Sequence, residues 1–333
     1  MGRYILRRLL WMIPVILIVG GLTFVLMHSA PGGPWDRDLS ARQVDPTVQR
    51  LLNDYYGLDK PLWRQFMAYM IGDTNQKGKF VCGLVCLNMG PSYRQRGFTV
   101  QDILFKPPTE GMSVIDSRFG YSMRLGLMSV LIAVIVGIPV GIISALKQNT
   151  PVDYISLFIA TVGISVPNFV IGFFLIIIFG SWLHLMKIIP KDWSTPGVWI
   201  IPALVLGFGT LSRTARLMRA SMLEVLRQDF VRTARSKGLA ERVVIFRHMV
   251  KNALIPVVTF LGPSLAALVT GSFIIESMFS FPGMGRAYIQ AISNRDYSMI
   301  MGTTIFYAVL VAFANLSVDL VYVFLDPRIR LTD

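Results

Sequence analysis

Few residues in this 333-residue chain combine the types and spacing that chemistry requires. The three histidines, His28, His184 and His248, stand alone in sequence. A zinc site or a nucleophile–base pair needs convergent ligands or partners that these lack, so they read as interfacial or packing residues and no metal is expected. The run GDTNQKGKF, from Gly72 to Phe80, is close to a phosphate-binding loop. Such a loop needs four residues between its glycines and a Ser or Thr after the lysine to hold magnesium. Here five intervene and Phe80 follows, so a nucleotide site is excluded. Cys82 and Cys86 are the only cysteines. A bridge between them suits an oxidising exterior, but a four-residue spacing closes a ring that only some backbones allow, so bridged and free forms both stay open. Within or beside the apolar stretches, Glu276, Asp319 and Arg124 are the ionisable groups that need a reason to be there. For Asp319 the simplest is pairing with an arginine or a backbone donor, and for Arg124 snorkelling to the interface.

The elements that must position these groups are apolar. Hydrophobic residues make up 53% of the chain and charged ones 15%, which places it among integral membrane proteins. The run Leu9–Met27 is long enough to span a bilayer and longer than the core of a signal peptide, so it is expected to remain as a first span. Five more spans are expected at about Leu125–Leu146, Tyr154–Trp182, Trp199–Met218, Ala253–Ile275 and Met299–Leu325. The expected fold is therefore an all-α polytopic membrane protein with six transmembrane helices. Its parts are a cytoplasmic start and first helix (1–28), a long external insert (29–118), a transmembrane core (119–325) that contains the cytoplasmic loop 213–252, and a cytoplasmic tail (326–333).

Charge orients it. The formal net charge is +13, and ten Lys or Arg against three acidic residues lie in one stretch, 213–252, between the fourth and fifth spans. Counted over short loops and tails, sixteen basic residues fall on the side of the N-terminus and four on the other, which puts both termini and the 213–252 loop in the cytoplasm. The basic balance thus reports topology, and a nucleic-acid partner is not expected. Glycines and prolines interrupt several spans: Gly137, Pro139 and Gly141, then Gly163 and Pro167, then Gly207 and Gly209, then Gly262 and Pro263. Each can serve close packing, and together they favour a moving pathway over an inert anchor.

The basic loop is built to fold. Asp229 is placed to cap a short helix, Phe230–Lys237, with Gly238 as its left-handed terminal residue. A second helix is expected to follow, with Val243, Phe246, Val250 and Leu254 on one face.

Two runs in this loop, TARSKG (Thr233–Gly238) and RHMVKNALIP (Arg247–Pro256), resemble the cytoplasmic loop of ABC-importer permeases. The resemblance is to the dipeptide/oligopeptide branch in particular, because Arg232-Thr233-Ala234 replaces the Glu-Ala-Ala of the general pattern. APGGP (Ala30–Pro34), GLDKPLWRQF (Gly57–Phe66), NMGPSYRQRGFTVQDIL (Asn88–Leu104), ESMFSFPGMG (Glu276–Gly285) and DPRIR (Asp326–Arg330) resemble landmarks of the same branch, in order along the chain.

The resemblance implies a permease subunit, without catalysis of its own, in a bacterial or archaeal cell membrane. It implies a homologous second permease, two cytoplasmic ATPases that hold the ATP and magnesium, and an external solute-binding protein. It makes Asp229, Arg232, Thr233, Ala234, Arg235, Lys237, Gly238, Leu239, His248 and Asn252 the ATPase-coupling set. Glu276, Phe279, Pro282, Gly283 and Gly285 are then an external gate. Peptides are the implied cargo; nickel complexes, glutathione or oligosaccharides are the alternatives in such systems. An ATP-independent secondary transporter would more often show mid-membrane ion-binding carboxylates or an internal repeat, and neither stands out.

Overall fold

A computed structural model describes residues 2–35, 46–74, 78–108, 113–185, 190, 193, 195–269 and 271–325. The DPRIR run, Lys187, Lys191 and the side chain of Asp319 lie outside the described residues.

In chain order the helices are α1 (Gly2–Ser29), α2 (Pro46–Tyr56), α3 (Leu62–Met70), α4 (Val100–Phe105), α5 (Arg118–Ile132), α6 (Ile138–Leu146), α7 (Pro151–Ser165), α8 (Asn168–Leu175), α9 (Gly197–Leu226), α10 (Asp229–Ser236), α11 (Glu241–Val243), α12 (Val250–Val269), α13 (Phe273–Met278), α14 (Met284–Asn294) and α15 (Tyr297–Leu325). Strands β1 (Gly72–Thr74) and β2 (Phe80–Cys82) form a small antiparallel hairpin. Wider π-helical turns join α5 to α6 (Ala133–Gly137) and α11 to α12 (Val244–Met249), and extend α8 (Ile176–Trp182).

Among the described residues, five helical stretches are long and apolar enough to cross a membrane: Tyr4–Ser29, Arg118–Leu146, Gly197–Leu226, Glu241–Val269 and Tyr297–Ser317. A sixth results if α7 and the helix after it, bent by 108°, count as one span. Pro167 is the cause of that bend. The residue before a proline is driven out of the helical region, and Val166 takes φ −91°, ψ 127°.

Two helices differ from the sequence expectation. The fourth span does not stop at Met218: α9 runs on through Arg219 to Leu226, and it is continuous through Gly207 and Gly209. Gly207 serves close packing, as expected for a single glycine in a span: a Cβ there would lie 2.6 Å from the carbonyl oxygen of Ser129. The fifth span starts earlier than expected and stops at Val269, because Gly271 takes φ +85° and turns the chain before Ile275 is reached.

The chain divides into two compact units. The first is formed by Ser122–Phe281 with the chain from Val311 onward. Its axis is α9, which packs against α6, α7, α8 and α12. Small residues let the backbones close in, and a Cβ at Gly141 would meet the Ala215 carbonyl oxygen at 2.5 Å.

The second unit joins Gly2–Tyr121 to Pro282–Leu310. Phe24, Met27, Met70, Val100 and Leu104 share one core with Met284, Ala287, Ala291 and Ile305. The described residues of 29–118 thus fold with α1, α14 and the start of α15. Cys82 and Cys86 are bonded, their Cα atoms 5.8 Å apart, which closes the loop after β2. Two stretches singled out above converge in this unit on the segment just before α15. The Asp296 carboxylate caps α15 at the Met299 amide (3.2 Å) and accepts from the Tyr93 amide (3.1 Å) and the Ser92 hydroxyl. Arg94 donates to the carbonyls of Asn294 (2.6 Å) and Pro34 (2.7 Å), tying APGGP to the NMGPSYRQRG run.

α4 opens with a capping box, Thr99 accepting from the Asp102 amide while Asp102 accepts from the Thr99 amide. Lys106 and Thr99 hold the Asp102 carboxyl down to about 2. The lowered value means this support is complete above the ordinary aspartate range and fades as pH falls through about 2. Thr99→Ala is expected to cost about 1 kcal/mol, read from a urea or thermal unfolding curve.

Candidate coupling site

The basic stretch folds into a compact protrusion. α10 is amphipathic: Val231 and Ala234 are buried at 0% and 5% exposure, while Arg232, Thr233, Arg235 and Lys237 are exposed. The two buried residues seat in a cluster with Met218 and Met222 of α9, Ala145 of α6, and Val244, Met249, Ala253 and Val257 of the following helix. The helix therefore has one face locked to three others and one face free.

Asp229 does not cap this helix. Gln228 is the residue with extended backbone (φ −77°, ψ 147°) and makes no side-chain cap, while Asp229 is already inside the first turn. There its negative charge still favours the helix N-terminus. It lies 3.8 Å from Arg232, and Thr233 donates to the Asp229 carbonyl at 2.9 Å. At the other end Gly238 takes φ +72°, as the sequence suggested, and its amide reaches the Arg235 carbonyl at 2.9 Å. Arg235 then spans the glycine turn with a fork onto Glu241, Nη2–Oε1 2.6 Å and Nε–Oε2 3.2 Å. That hydrogen-bonded carboxylate raises the Arg235 guanidinium above its ordinary value. Both partners are about half exposed, so the bracket sets geometry more than stability.

The second helix buries only the later half of the face expected: Val250 and Leu254 pack against the cluster, while Val243 and Phe246 do not. Val244, Met249, Ala253 and Val257 are buried, whereas Phe246 is 67% exposed and Val243 39%. The π-helical turn at Val244–Met249 carries an extra residue, which rotates everything before it against everything after it. His248 and Asn252 lie one turn apart, joined from Asn252 Nδ2 to the His248 carbonyl at 2.8 Å. Leu239 is exposed in the turn.

A second constellation was not legible as such. Asp153, 1% exposed, receives a two-pronged contact from Arg219 (Nε–Oδ1 2.6 Å, Nη2–Oδ2 2.7 Å). It also accepts from the Ser144 hydroxyl (2.5 Å) and the Asn149 amide (3.0 Å). One carboxylate thereby fastens the end of α6, the turn after it and the start of α7 to α9. The signal in the sequence was a lone acid in the first turn after Thr150-Pro151, at the edge of an apolar run.

The ESMFSFPGMG run is divided between the units. In the first, Glu276 is fully buried and accepts from the Ser122 hydroxyl at 2.8 Å. Phe279 and Phe281 are buried as well, and Phe281 packs with Trp193 and Trp199 (centroids 4.5 and 4.9 Å). Arg124 lies over the Trp199 ring at 4.9 Å. In the second unit Pro282 and Gly283 lead into α14, where Gly285 is buried. A Cβ on Gly271 would meet the Glu276 Oε1 at 2.3 Å, at a backbone angle that side chains rarely adopt. Gly271→Val is therefore expected to destabilise by roughly 2–4 kcal/mol, measured by thermal unfolding in detergent.

The family described as binding-protein-dependent transport system inner membrane component matches residues 137–331, and the N-terminal family of the same transport systems matches 1–113. The chain belongs to this family. It is thus a multi-pass membrane component of a binding-protein-dependent transport system. Among its relatives, the dipeptide transport system permease protein DppB of Bacillus subtilis is 39% identical over 99% of both chains. The oligopeptide transport system permease protein OppB of Salmonella typhimurium is 34% identical over 99% of this chain and all of the relative. Among solved structures, the MetNI methionine ABC transporter in an inward-facing form aligns with TM-score 0.49 and 15% identity, over 63% of this chain and 94% of that one. Within the family-matched region lie the α10 protrusion, the Gly238 turn and the Asp153–Arg219 clamp; the Cys82–Cys86 loop lies in the part matched by the N-terminal family.

Proposed function

We propose that this chain is the permease subunit of a peptide importer driven by separate ATPases, and that the α10 protrusion is where their motion enters. The observation that carries the reading is the protrusion's form: a short helix with an exposed basic face, jointed at Gly238 and seated by Val231 and Ala234 among α6, α9 and α12. A displacement of α10 reaches three membrane helices at once through that seat, and reaches α7 through the Asp153–Arg219 clamp. Opening of the pathway is then a rigid-body response, without bond chemistry in this subunit. The names of the DppB and OppB relatives support peptides as cargo. The basic bias supports a cytoplasmic place for the protrusion and both termini, with the partner permease, two ATPases and an external binding protein completing the assembly.

The test is reconstitution. The chain is expected to co-purify with an ATPase pair whose hydrolysis rises when the cognate external binding protein is loaded with a short peptide. Accumulation of peptide by the chain alone, or labelling of Arg235→Cys from the exterior, overturns the reading. Stimulation by a sugar or nickel complex in place of peptides would keep the architecture and change the cargo.

A further inference from the structure

The second unit contains a cleft of about 860 Å³ that the translocation reading does not use. That volume falls within the roughly 300–1,000 Å³ typical of small-molecule sites. Its wall is a continuous series of aromatic rings drawn from three regions of the sequence. Phe24 meets His28 at 4.1 Å between centroids, His28 meets Tyr297 at 5.1 Å, Tyr297 meets Tyr93 at 6.0 Å, and Tyr93 meets Tyr56 at 4.3 Å. Tyr69 also lines the cleft, and its hydroxyl is buried with no hydrogen-bond partner among the described residues.

The charges at the cleft are uneven. Lys60 is engaged by Asp73 at 2.8 Å, and Asp73 also accepts from Arg64. These contacts hold the Asp73 carboxyl well below its ordinary range. Asp54 and Asp59 line the same cleft with no ion pair among the described residues. Burial raises the Tyr69 and Tyr93 phenols above their ordinary value, so both rings stay neutral.

Electron-rich ring faces beside unpaired carboxylates are the surroundings that stabilise an organic cation. We infer that this cleft binds an ammonium group joined to an apolar body. The N-terminus of a short peptide and the headgroup of phosphatidylethanolamine share that chemistry. The peptide source rests on the importer reading above; binding itself does not.

The experiment uses the full chain in nanodiscs of phosphatidylglycerol, titrated calorimetrically with the dipeptide Phe-Ala, with N-acetyl-Phe-Ala, and with benzyltrimethylammonium. Phe-Ala and benzyltrimethylammonium are expected to bind saturably, and the acetylated peptide at least roughly ten-fold more weakly. The Asp54→Asn/Asp59→Asn double variant changes only exposed side chains, so it should keep its melting temperature and lose roughly ten-fold in affinity for both cations. Nanodiscs containing phosphatidylethanolamine separate the sources: competition against Phe-Ala makes the lipid the resident ligand, and undiminished binding makes it the peptide. Absence of saturable binding by any cationic probe, equal binding of the acetylated peptide, or unchanged affinity in the double variant overturns the inference. Peptide uptake by the assembled importer without this binding would sink the cleft alone. Binding without peptide uptake would sink the importer reading alone.

Discussion

Arg219→Ala is expected to destabilise the protein by roughly 3–5 kcal/mol, the largest loss among the substitutions considered, because it strands the buried Asp153 carboxylate without its cation. Asp153 is 1% exposed and its other donors, Ser144 and the Asn149 amide, are neutral. Arg219→Lys should recover only part of the loss, since an ammonium cannot make the two-pronged contact. The informative variant is the double replacement Asp153→Leu/Arg219→Met. Removing both charges avoids a stranded ion, so this protein should be more stable than either single variant. Thermal unfolding in detergent, arranged as a double-mutant cycle, gives the coupling directly. Additive single losses would mean that the two side chains are independent and that the clamp does not hold α7 to α9.

Gly238→Val should act on work rather than on folding. Nothing lies within 4 Å of the position a Cβ would take, so no neighbour is displaced. The cost is the left-handed backbone angle itself, roughly 1–2 kcal/mol and more for a β-branched residue. Relief of that strain requires the turn to re-aim, which moves Glu241 away from Arg235 and rotates α10 on its seat. The variant is expected to insert and bind its ATPase partners, with hydrolysis continuing and uptake falling at least roughly ten-fold. Gly238→Asn, which tolerates the same angle, should retain most uptake. Parallel uptake and hydrolysis assays in proteoliposomes check this, and normal uptake by the valine variant would remove the turn from the coupling route.

These two sites differ in how far the sequence disclosed them. Gly238 was legible because a positive φ leaves a local signature: a short polar helix, a glycine, then renewed helical periodicity. Pro167 was legible for a similar reason, since a proline restricts its own neighbour. Asp153 and Arg219 are 66 positions apart, and no local pattern announces that they meet. Phe246 misled because periodicity assumes a constant turn, and the wider turn at Val244–Met249 changes the face partway. Gly207 and Gly209 were legible as small residues for close packing, but their neighbours, Ser129 for the one and Asn168 and Gly163 for the other, lie too far away in sequence to be named from it. The fold of the described part of 29–118 was out of reach because most of its core comes from elsewhere in the chain.

That last point bears on how such proteins can be recombined. The Ser92–Asp296 bond closes a loop of 204 positions, so the region after α1 is one half of a split module whose other half lies beyond the membrane core. A chimera exchanging only 29–118 with DppB or OppB would mate mismatched halves, whereas carrying 282–310 along would preserve the seam. Divergence in one half should accordingly be answered by change in the other, even while the segment between them stays as it was.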